Sequence, residues 1–111
     1  MISKKYAVII VDDHFSVREG IKTAINNTSE FEVVGLYKET RSLLNQQTSI
    51  VPDLILLDIS LPGLNGLISC PELKRKFPNT FIVAFTQYEH SKEELIKYKF
   101  DGYIHKADDD V

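Results

Sequence analysis

The stretch Val51 to Gly66, VPDLILLDISLPGLNG, decides the fold class. Its aliphatic run, Leu54 to Leu57, is flanked by turn residues. Such a run is typical of a short strand that is buried on both faces of a sheet. The run ends on one carboxylate, Asp58, before a turn at Pro62 and Gly63. Because ligands of open α/β sheets bind at the carboxyl ends of such strands, Asp58 is the first candidate functional residue.

The composition is that of one ordinary globular domain. The 111 residues are 43% hydrophobic, which supports one core, and the formal net charge of −3 gives no basic surface for nucleic acid or an anionic membrane. One cysteine, Cys70, excludes an internal disulfide and is typical of a reducing compartment. The apolar run Ala7 to Val11 is too short for a signal peptide core or a membrane span. We therefore expect a cytoplasmic protein without membrane attachment.

Strand and helix patterns alternate along the whole chain. The predicted strands are Tyr6 to Val11, Phe31 to Tyr37, Leu54 to Leu57, Phe81 to Phe85 and Tyr103 to His105, and the predicted helices begin at Phe15, Thr40, Cys70 and Ser91. The second and fourth helices are predicted to end at Gln47 and Phe100. Gly35 favours an edge position for the second strand, and Ser91 to Glu94 resembles a capping box. The alternation predicts a doubly wound sheet of parallel strands, with residues 1–111 as one domain.

Pro71 complicates the third helix. Proline breaks an interior turn but is favoured at the first helical position, so this helix is predicted to begin late, near Cys70, or to kink. Its apolar face is predicted from Ile68, Leu73 and Phe77.

Polar residues follow four of the predicted strands. They are Asp12 and Asp13, Asp58, Thr86 and Lys106. In a parallel sheet these positions share one edge, although they are far apart in the sequence. Clustered carboxylates repel one another unless a cation is present, and an oxygen-rich site without sulfur suits Mg²⁺. A carboxylate can also attack phosphorus to form an aspartyl phosphate, which a hydroxyl and an ammonium group would stabilise.

These motifs resemble the receiver domain of two-component response regulators. The matching segments are VDDH at 11–14, LLDISLPGLNG at 56–66, FT at 85–86 and GYIHK at 102–106. They stand in the family's order and cover nearly the whole chain. The longer segment VDDHFSVREGIKTAI is similar to regulators that carry a C-terminal helix-turn-helix DNA-binding domain. The resemblance implies the flavodoxin-like receiver fold, with strand order 2-1-3-4-5.

The resemblance also implies the residues that bind phosphate and metal. Asp58 would accept a phosphoryl group from the phosphohistidine of a sensor histidine kinase. Direct ligands of Mg²⁺ would be Asp13, Asp58 and the backbone carbonyl of Ser60, with Asp12 acting mainly through water. Lys106 would contact the phosphoryl oxygens.

A signalling switch, rather than an enzyme, is the implied function. Thr86 would move toward the phosphoryl group, and the side chain of Tyr103 would follow it. The surface of the fourth helix and fifth strand would then change and control an output, transcription. The implied partners are the histidine kinase and a second copy of the chain, and DNA would be contacted only through an output domain outside this chain. Catalysis would be limited to slow loss of the phosphoryl group.

Each residue taken alone also has a structural interpretation. Asp12 and Asp13 could cap the first helix, and Tyr103 could be half-buried packing. His14 could influence phosphotransfer from its loop, but a solvated loop histidine is the simpler interpretation. The joint occurrence of polar groups at four strand ends favours a functional site over these separate interpretations.

Two other functional classes stay open at this point. Phosphohydrolases of the haloacid dehalogenase type also use an aspartyl phosphate and Mg²⁺. They place the nucleophile after the first strand in a D-x-D pattern, however, and position 14 is histidine here. A degenerate receiver that acts only as an interaction domain is the second class, and the retained acidic residues and Lys106 argue against it.

The end of the chain departs from the family pattern. Receivers have a fifth helix after the strand that bears the lysine, and only Ala107 to Val111 follow Lys106 here. We therefore expect this helix to be missing or truncated, with apolar surface exposed on the first helix and near Ile104. The short segment after Thr86 also predicts a clipped fourth helix. Tyr88 within it could restrict water and slow the loss of the phosphoryl group.

Overall fold

Strands and helices alternate in the computed structural model, which describes residues 4–47, 49–59, 65–87 and 91–105. In chain order the elements are β1 Tyr6–Val11, α1 Phe15–Asn26, β2 Phe31–Tyr37, α2 Thr40–Asn45, β3 Leu54–Asp58, α3 Asn65–Lys76, β4 Phe81–Thr86, α4 Lys92–Lys97 and β5 Gly102–His105. The alternation predicted from the apolar runs is confirmed. Within these ranges, none of the helices combines the length and apolar character needed to span a bilayer.

The strands form one sheet in the order β2-β1-β3-β4-β5, and every neighbouring pair is parallel. This confirms the doubly wound fold and the edge position of β2. The register skips one residue of β2, because Val8 lies opposite Val33 and Ile9 lies opposite Gly35. This irregularity lies beside the glycine that marked the strand as an edge.

The two faces of the sheet are covered unequally. The larger core cluster lies under α2, α3 and α4 and comprises Ile9, Val11, Leu43, Ile55, Leu57, Ile59, Leu67, Cys70, Leu73, Phe77, Ile82, Ala84, Leu95 and Phe100. On the opposite face, the partly buried Ile21 and Ile25 of α1 pack on a smaller cluster of Val8, Ile10 and Leu56.

The smaller face leaves apolar surface in contact with solvent. No residue of α1 is buried, Phe15 is 69% exposed, and Ile104 of β5 is 39% exposed. The predicted exposure of apolar surface on the first helix and near Ile104 is confirmed.

The predicted late start of α3 is wrong. The helix begins at Asn65 and contains Pro71, and its buried residues include Leu67, Cys70 and Leu73, whereas Ile68 is exposed. An interior proline costs a helix about 3 kcal/mol or more. Burial of each large apolar side chain contributes roughly 1.5–3 kcal/mol, and such side chains lie on both sides of the proline. Tertiary packing therefore outweighs the local preference of proline.

The second and fourth helices are shorter than their sequence patterns predicted. α2 ends at Asn45 instead of Gln47, and α4 spans Lys92–Lys97, which confirms a clipped fourth helix. Ser91 caps α4 as predicted, because its Oγ accepts a hydrogen bond of 3.0 Å from the backbone N–H of Glu94. The helix ends early because Lys99 adopts a left-handed conformation, with φ of 71°.

Candidate functional site

Three carboxylates meet at the carboxyl edge of the sheet. Val11 of β1 lies opposite Leu57 of β3, so Asp12 and Asp58, which follow them, leave the sheet side by side. Asp12 is 2% exposed and the side chain of Asp58 is 6% exposed, whereas about half of the Asp13 side chain contacts solvent. Two of the three acids are therefore shielded from water. An uncompensated negative charge is costly in such a buried position.

Hydrogen bonds fix the loop that carries the first pair of acids. The backbone N–H of Asp12 donates to the carbonyl of Tyr37 at 3.0 Å, and its Oδ1 accepts from the backbone N–H of His14 at 2.8 Å. Nη1 of Arg18 donates to the carbonyl of Asp12 at 2.7 Å. The sequence interpretation missed Arg18, and its signal was a cation one turn into α1, within reach of the preceding loop. Hydrogen bonds of its N–H, its carbonyl and its Oδ1 thus fix the position of the Asp12 carboxylate.

His14 contacts all three carboxylates, although 58% of its side chain is exposed. Its Nδ1 lies 3.0 Å from Oδ1 of Asp13, 3.3 Å from Oδ1 of Asp12 and 4.0 Å from Oδ2 of Asp58. The interpretation as a solvated loop histidine describes its exposure but not these contacts. His14 therefore belongs to the site.

The four side chains suit a small divalent cation. Asp12, Asp13, His14 and Asp58 each offer one ligand atom, and these atoms all lie within 4.8 Å of one another. Carboxylate oxygens are the ligands that hard divalent ions prefer, and a cation would offset the mutual repulsion of the acids. The acidic cluster expected from the sequence can accordingly hold a metal ion.

The predicted switch residues lie on the two neighbouring strands. Thr86, the last residue of β4, is completely buried and lies opposite His105 of β5. Tyr103 is half-buried opposite Ala84, and its ring meets that of His105 edge-on, with 6.4 Å between the ring centroids. Thr86 and Tyr103 thus lie on adjacent strands, two positions apart in the register.

Several predicted residues lie outside the described ranges. These are Ser60, Pro62, Gly63, Tyr88 and Lys106. Their predicted roles stay predictions.

Gly66 allows α3 to begin close to the end of β3. A Cβ atom at this position would lie 2.8 Å from both Cα and Cβ of Ile59, the residue after Asp58. Atoms at that separation overlap, so the backbone of α3 can approach this closely only where the side chain is absent. The sequence analysis gave Gly66 no such role, because a contact between two distant segments has no local signal.

A cleft of about 440 Å³ opens beside the carboxylates. Its walls include all three acids, Arg41 of α2 and Glu72 of α3. The cleft gives a small molecule a route from solvent to the carboxylates.

Cys70 does not add a nucleophilic thiolate to this region. The side chain is completely buried, and burial raises the pKa of the thiol from 9.0 to about 12. Since the thiolate is the reactive form, the native thiol is inert at neutral pH. Cys70 is therefore a packing residue of the larger core cluster.

The raised pKa of Cys70 predicts a loss of stability at alkaline pH. Between pH 9 and pH 12 the thiol ionises in the unfolded chain but stays protonated in the native one. The free energy of unfolding therefore falls as pH rises through this window, by about 1 kcal/mol from pH 8 to pH 10 for this group. Urea unfolding of the wild type and of Cys70→Ala at both pH values isolates the effect. An equal fall in both proteins would contradict the assignment.

The parallel sheet and its carboxylate edge agree with one known family of domains. The family model described as "Response regulator receiver domain" matches residues 8–110, so the chain belongs to this family. Membership confirms the resemblance drawn from the motifs. It also places the chain among phosphorylation-dependent signalling switches, rather than among enzymes such as the phosphohydrolases.

Regulators with known sequences and structures are similar to the chain. The nitrate/nitrite response regulator protein NarL of Escherichia coli K12 is 34% identical over 101 residues, which are 89% of this chain and 47% of that protein. A LuxR-family two-component response regulator from Aurantimonas sp. SI85-9A1 has a TM-score of 0.81 and 25% identity, over 96% of this chain and 77% of that one.

A second solved structure was determined with a phosphate mimic. It is the isolated REC domain of RcsB from Salmonella enterica serovar Typhimurium in the presence of phosphomimetic BeF₃⁻, with a TM-score of 0.79 and 25% identity, over 94% of this chain and 79% of that one. The chain spans about half the length of the curated relatives it matches.

Proposed function

We propose that residues 1–111 are one receiver domain of a two-component system, which accepts a phosphoryl group on Asp58 from the phosphohistidine of a sensor kinase. The observation that carries this proposal is the meeting of Asp12, Asp13 and Asp58 at one sheet edge, with Asp58 at the end of a buried central strand. A rigid strand end holds the carboxylate in place, and the adjoining cleft admits a phosphodonor.

The proposed reaction is a single displacement at phosphorus, and its product is the acyl phosphate of Asp58. A carboxylate oxygen of Asp58 attacks the phosphorus atom, and a new P–O bond forms. The P–N bond to the kinase histidine breaks, and its electron pair returns to the imidazole. The low solvent exposure of Asp58 limits the access of water to the product, in keeping with a slow loss of the phosphoryl group.

Mg²⁺ is the proposed cofactor. Asp13, Asp58 and the backbone carbonyl of Ser60 would hold it, with Asp12 acting mainly through water. The bound ion would neutralise part of the negative charge that the acids and the phosphoryl group bring together. Lys106 is proposed to contact the phosphoryl oxygens as a second positive charge.

Thr86 and Tyr103 are the proposed switch residues, whose side chains respond to phosphorylation. A buried hydroxyl at the end of β4 can exchange its contacts for a phosphoryl oxygen, because that oxygen is a strong hydrogen-bond acceptor. Tyr103, on the neighbouring strand, would change its side-chain conformation in response. Both α4 and β5 would then present an altered surface, which controls transcription through an output domain outside this chain. A second copy of the chain is a further proposed partner.

The test is phosphorylation of the purified chain by acetyl phosphate. In the presence of Mg²⁺ we expect one phosphoryl group per chain by intact-protein mass spectrometry, and we expect excess chelator to reduce the adduct to background. Addition of Mg²⁺ in excess over the chelator should restore the phosphorylated adduct. Rapid turnover of a phosphomonoester would instead indicate a phosphohydrolase, and no adduct at saturating Mg²⁺ would indicate a degenerate receiver.

A further inference from the structure

We propose that His14 is an additional ligand of the cation site, which therefore takes imidazole-accepting transition-metal ions such as Ni²⁺ or Zn²⁺ through one nitrogen and the carboxylate oxygens. This inference rests on the proposed cation site and adds a class of ions that the site can bind besides Mg²⁺. Imidazole nitrogen suits Zn²⁺ and Ni²⁺, whereas Mg²⁺ prefers oxygen ligands and bound water.

The distances around His14 match those between ligands of one ion. Two ligands that each lie about 2.1 Å from a metal ion are roughly 3.0 Å apart when adjacent and roughly 4.2 Å apart when opposite. Nδ1 of His14 lies 3.0 Å and 3.3 Å from the Oδ1 atoms of Asp13 and Asp12, and 4.0 Å from Oδ2 of Asp58. One ion can therefore contact the imidazole and the carboxylates after small side-chain rotations.

The backbone presents His14 to the site before any ion binds. Its N–H donates to Oδ1 of Asp12, and the carbonyl of Asp12 is held by Arg18. The side chain makes no capping hydrogen bond to α1, so binding of an ion by the imidazole would not break a contact with that helix. Its partial exposure leaves room for an ion to enter from solvent. Little ordering is then needed to recruit the imidazole as a ligand.

If His14 only forms an ion pair with Asp13 and binds no metal, the expected effect of its removal on metal affinity is the opposite. In that arrangement the imidazolium competes with every divalent ion for the same carboxylates. Removal of His14 would then tighten the binding of Mg²⁺ and Ni²⁺ alike. The two interpretations therefore differ in the ratio of the two affinities.

The experiment is calorimetric titration of the whole chain with Ni²⁺ and with Mg²⁺. For His14→Ala we expect Ni²⁺ affinity to fall at least about tenfold, since even outer-shell partners of metal ligands change affinity by that much. Mg²⁺ affinity should change less than about threefold. His105→Ala removes another histidine near the same sheet edge and should leave both affinities unchanged. His14→Gln, which keeps a side chain of similar length, should lose Ni²⁺ affinity as His14→Ala does.

Equal changes in the two affinities, tighter binding of both ions, or no change on loss of His14 would overturn the inference. Circular dichroism of each variant confirms the native fold. Phosphorylation of the wild type with Mg²⁺ is measured separately. An Asp58 adduct with His14-independent Ni²⁺ binding refutes only this inference, whereas His14-dependent Ni²⁺ binding without an adduct refutes only the proposed phosphotransfer.

Discussion

Replacing Asp58 by asparagine is expected to reduce phosphorylation of the chain to background while the fold is kept. The amide has nearly the shape of the carboxylate, but its oxygen and nitrogen are poor nucleophiles toward phosphorus. The free energy of unfolding should change by less than about 1 kcal/mol, because the substitution makes no cavity and removes one of several clustered negative charges. Loss of the adduct would then result from the missing nucleophile and not from misfolding.

Intact-protein mass spectrometry after treatment with acetyl phosphate and Mg²⁺ measures this effect. Glu32→Gln is the matched control, because it also neutralises one acid, on an exposed position of β2 away from the site. The control should be phosphorylated to the wild-type level. Retention of the adduct in Asp58→Asn would show that another residue accepts the phosphoryl group and would refute the proposed role of Asp58.

Replacing Gly66 by alanine is expected to destabilise the protein by about 1–2 kcal/mol. Alanine in a helix is ordinarily favourable by roughly 0.5–1 kcal/mol, but overpacking in a close-packed region costs roughly 1–3 kcal/mol or more. Overpacking should dominate here, because the new Cβ would lie 2.8 Å from backbone and side-chain atoms of Ile59. Either α3 or the end of β3 must move to relieve the overlap.

Gly20→Ala provides the control for this substitution. It makes the same chemical change inside α1, where a new Cβ would meet no atom within 4 Å. The control should stabilise the protein by roughly 0.5–1 kcal/mol, because only helix propensity changes. Urea unfolding of both variants measures the difference. Equal effects at the two glycines would contradict the close approach of α3 to β3.

The sheet and its acidic edge were predictable from the sequence because they follow from local patterns. Strands covered on both faces, such as β1 and β3, consist of continuous apolar runs, and strand order follows once the family resemblance is accepted. Asp12 and Asp58 stand directly after those runs. Their meeting then requires only that parallel strands end at one edge.

Features that depend on distant contacts were not predictable in this way. The start of α3 depends on packing around Pro71, which outweighs the preference of proline for the first helical turn. The role of Gly66 depends on Ile59, and the contacts of His14 and Arg18 depend on how the loop after β1 turns. The start of α3 and the role of Gly66 have no periodic or compositional signal, and Arg18 is marked only as a cation one turn into α1.

The position of β1 in the sheet also determines how the protein reaches its native state. β1 comes before its two partners in the chain and pairs with β2 on one side and β3 on the other, always in parallel. No tight hairpin can form such pairs, so each pairing must first overcome the entropy of closing a long loop. The slow step of folding is then expected to include the docking of β3 on β1. That same event brings Asp58 beside Asp12, so the chain gains its carboxylate edge only when the centre of the sheet forms.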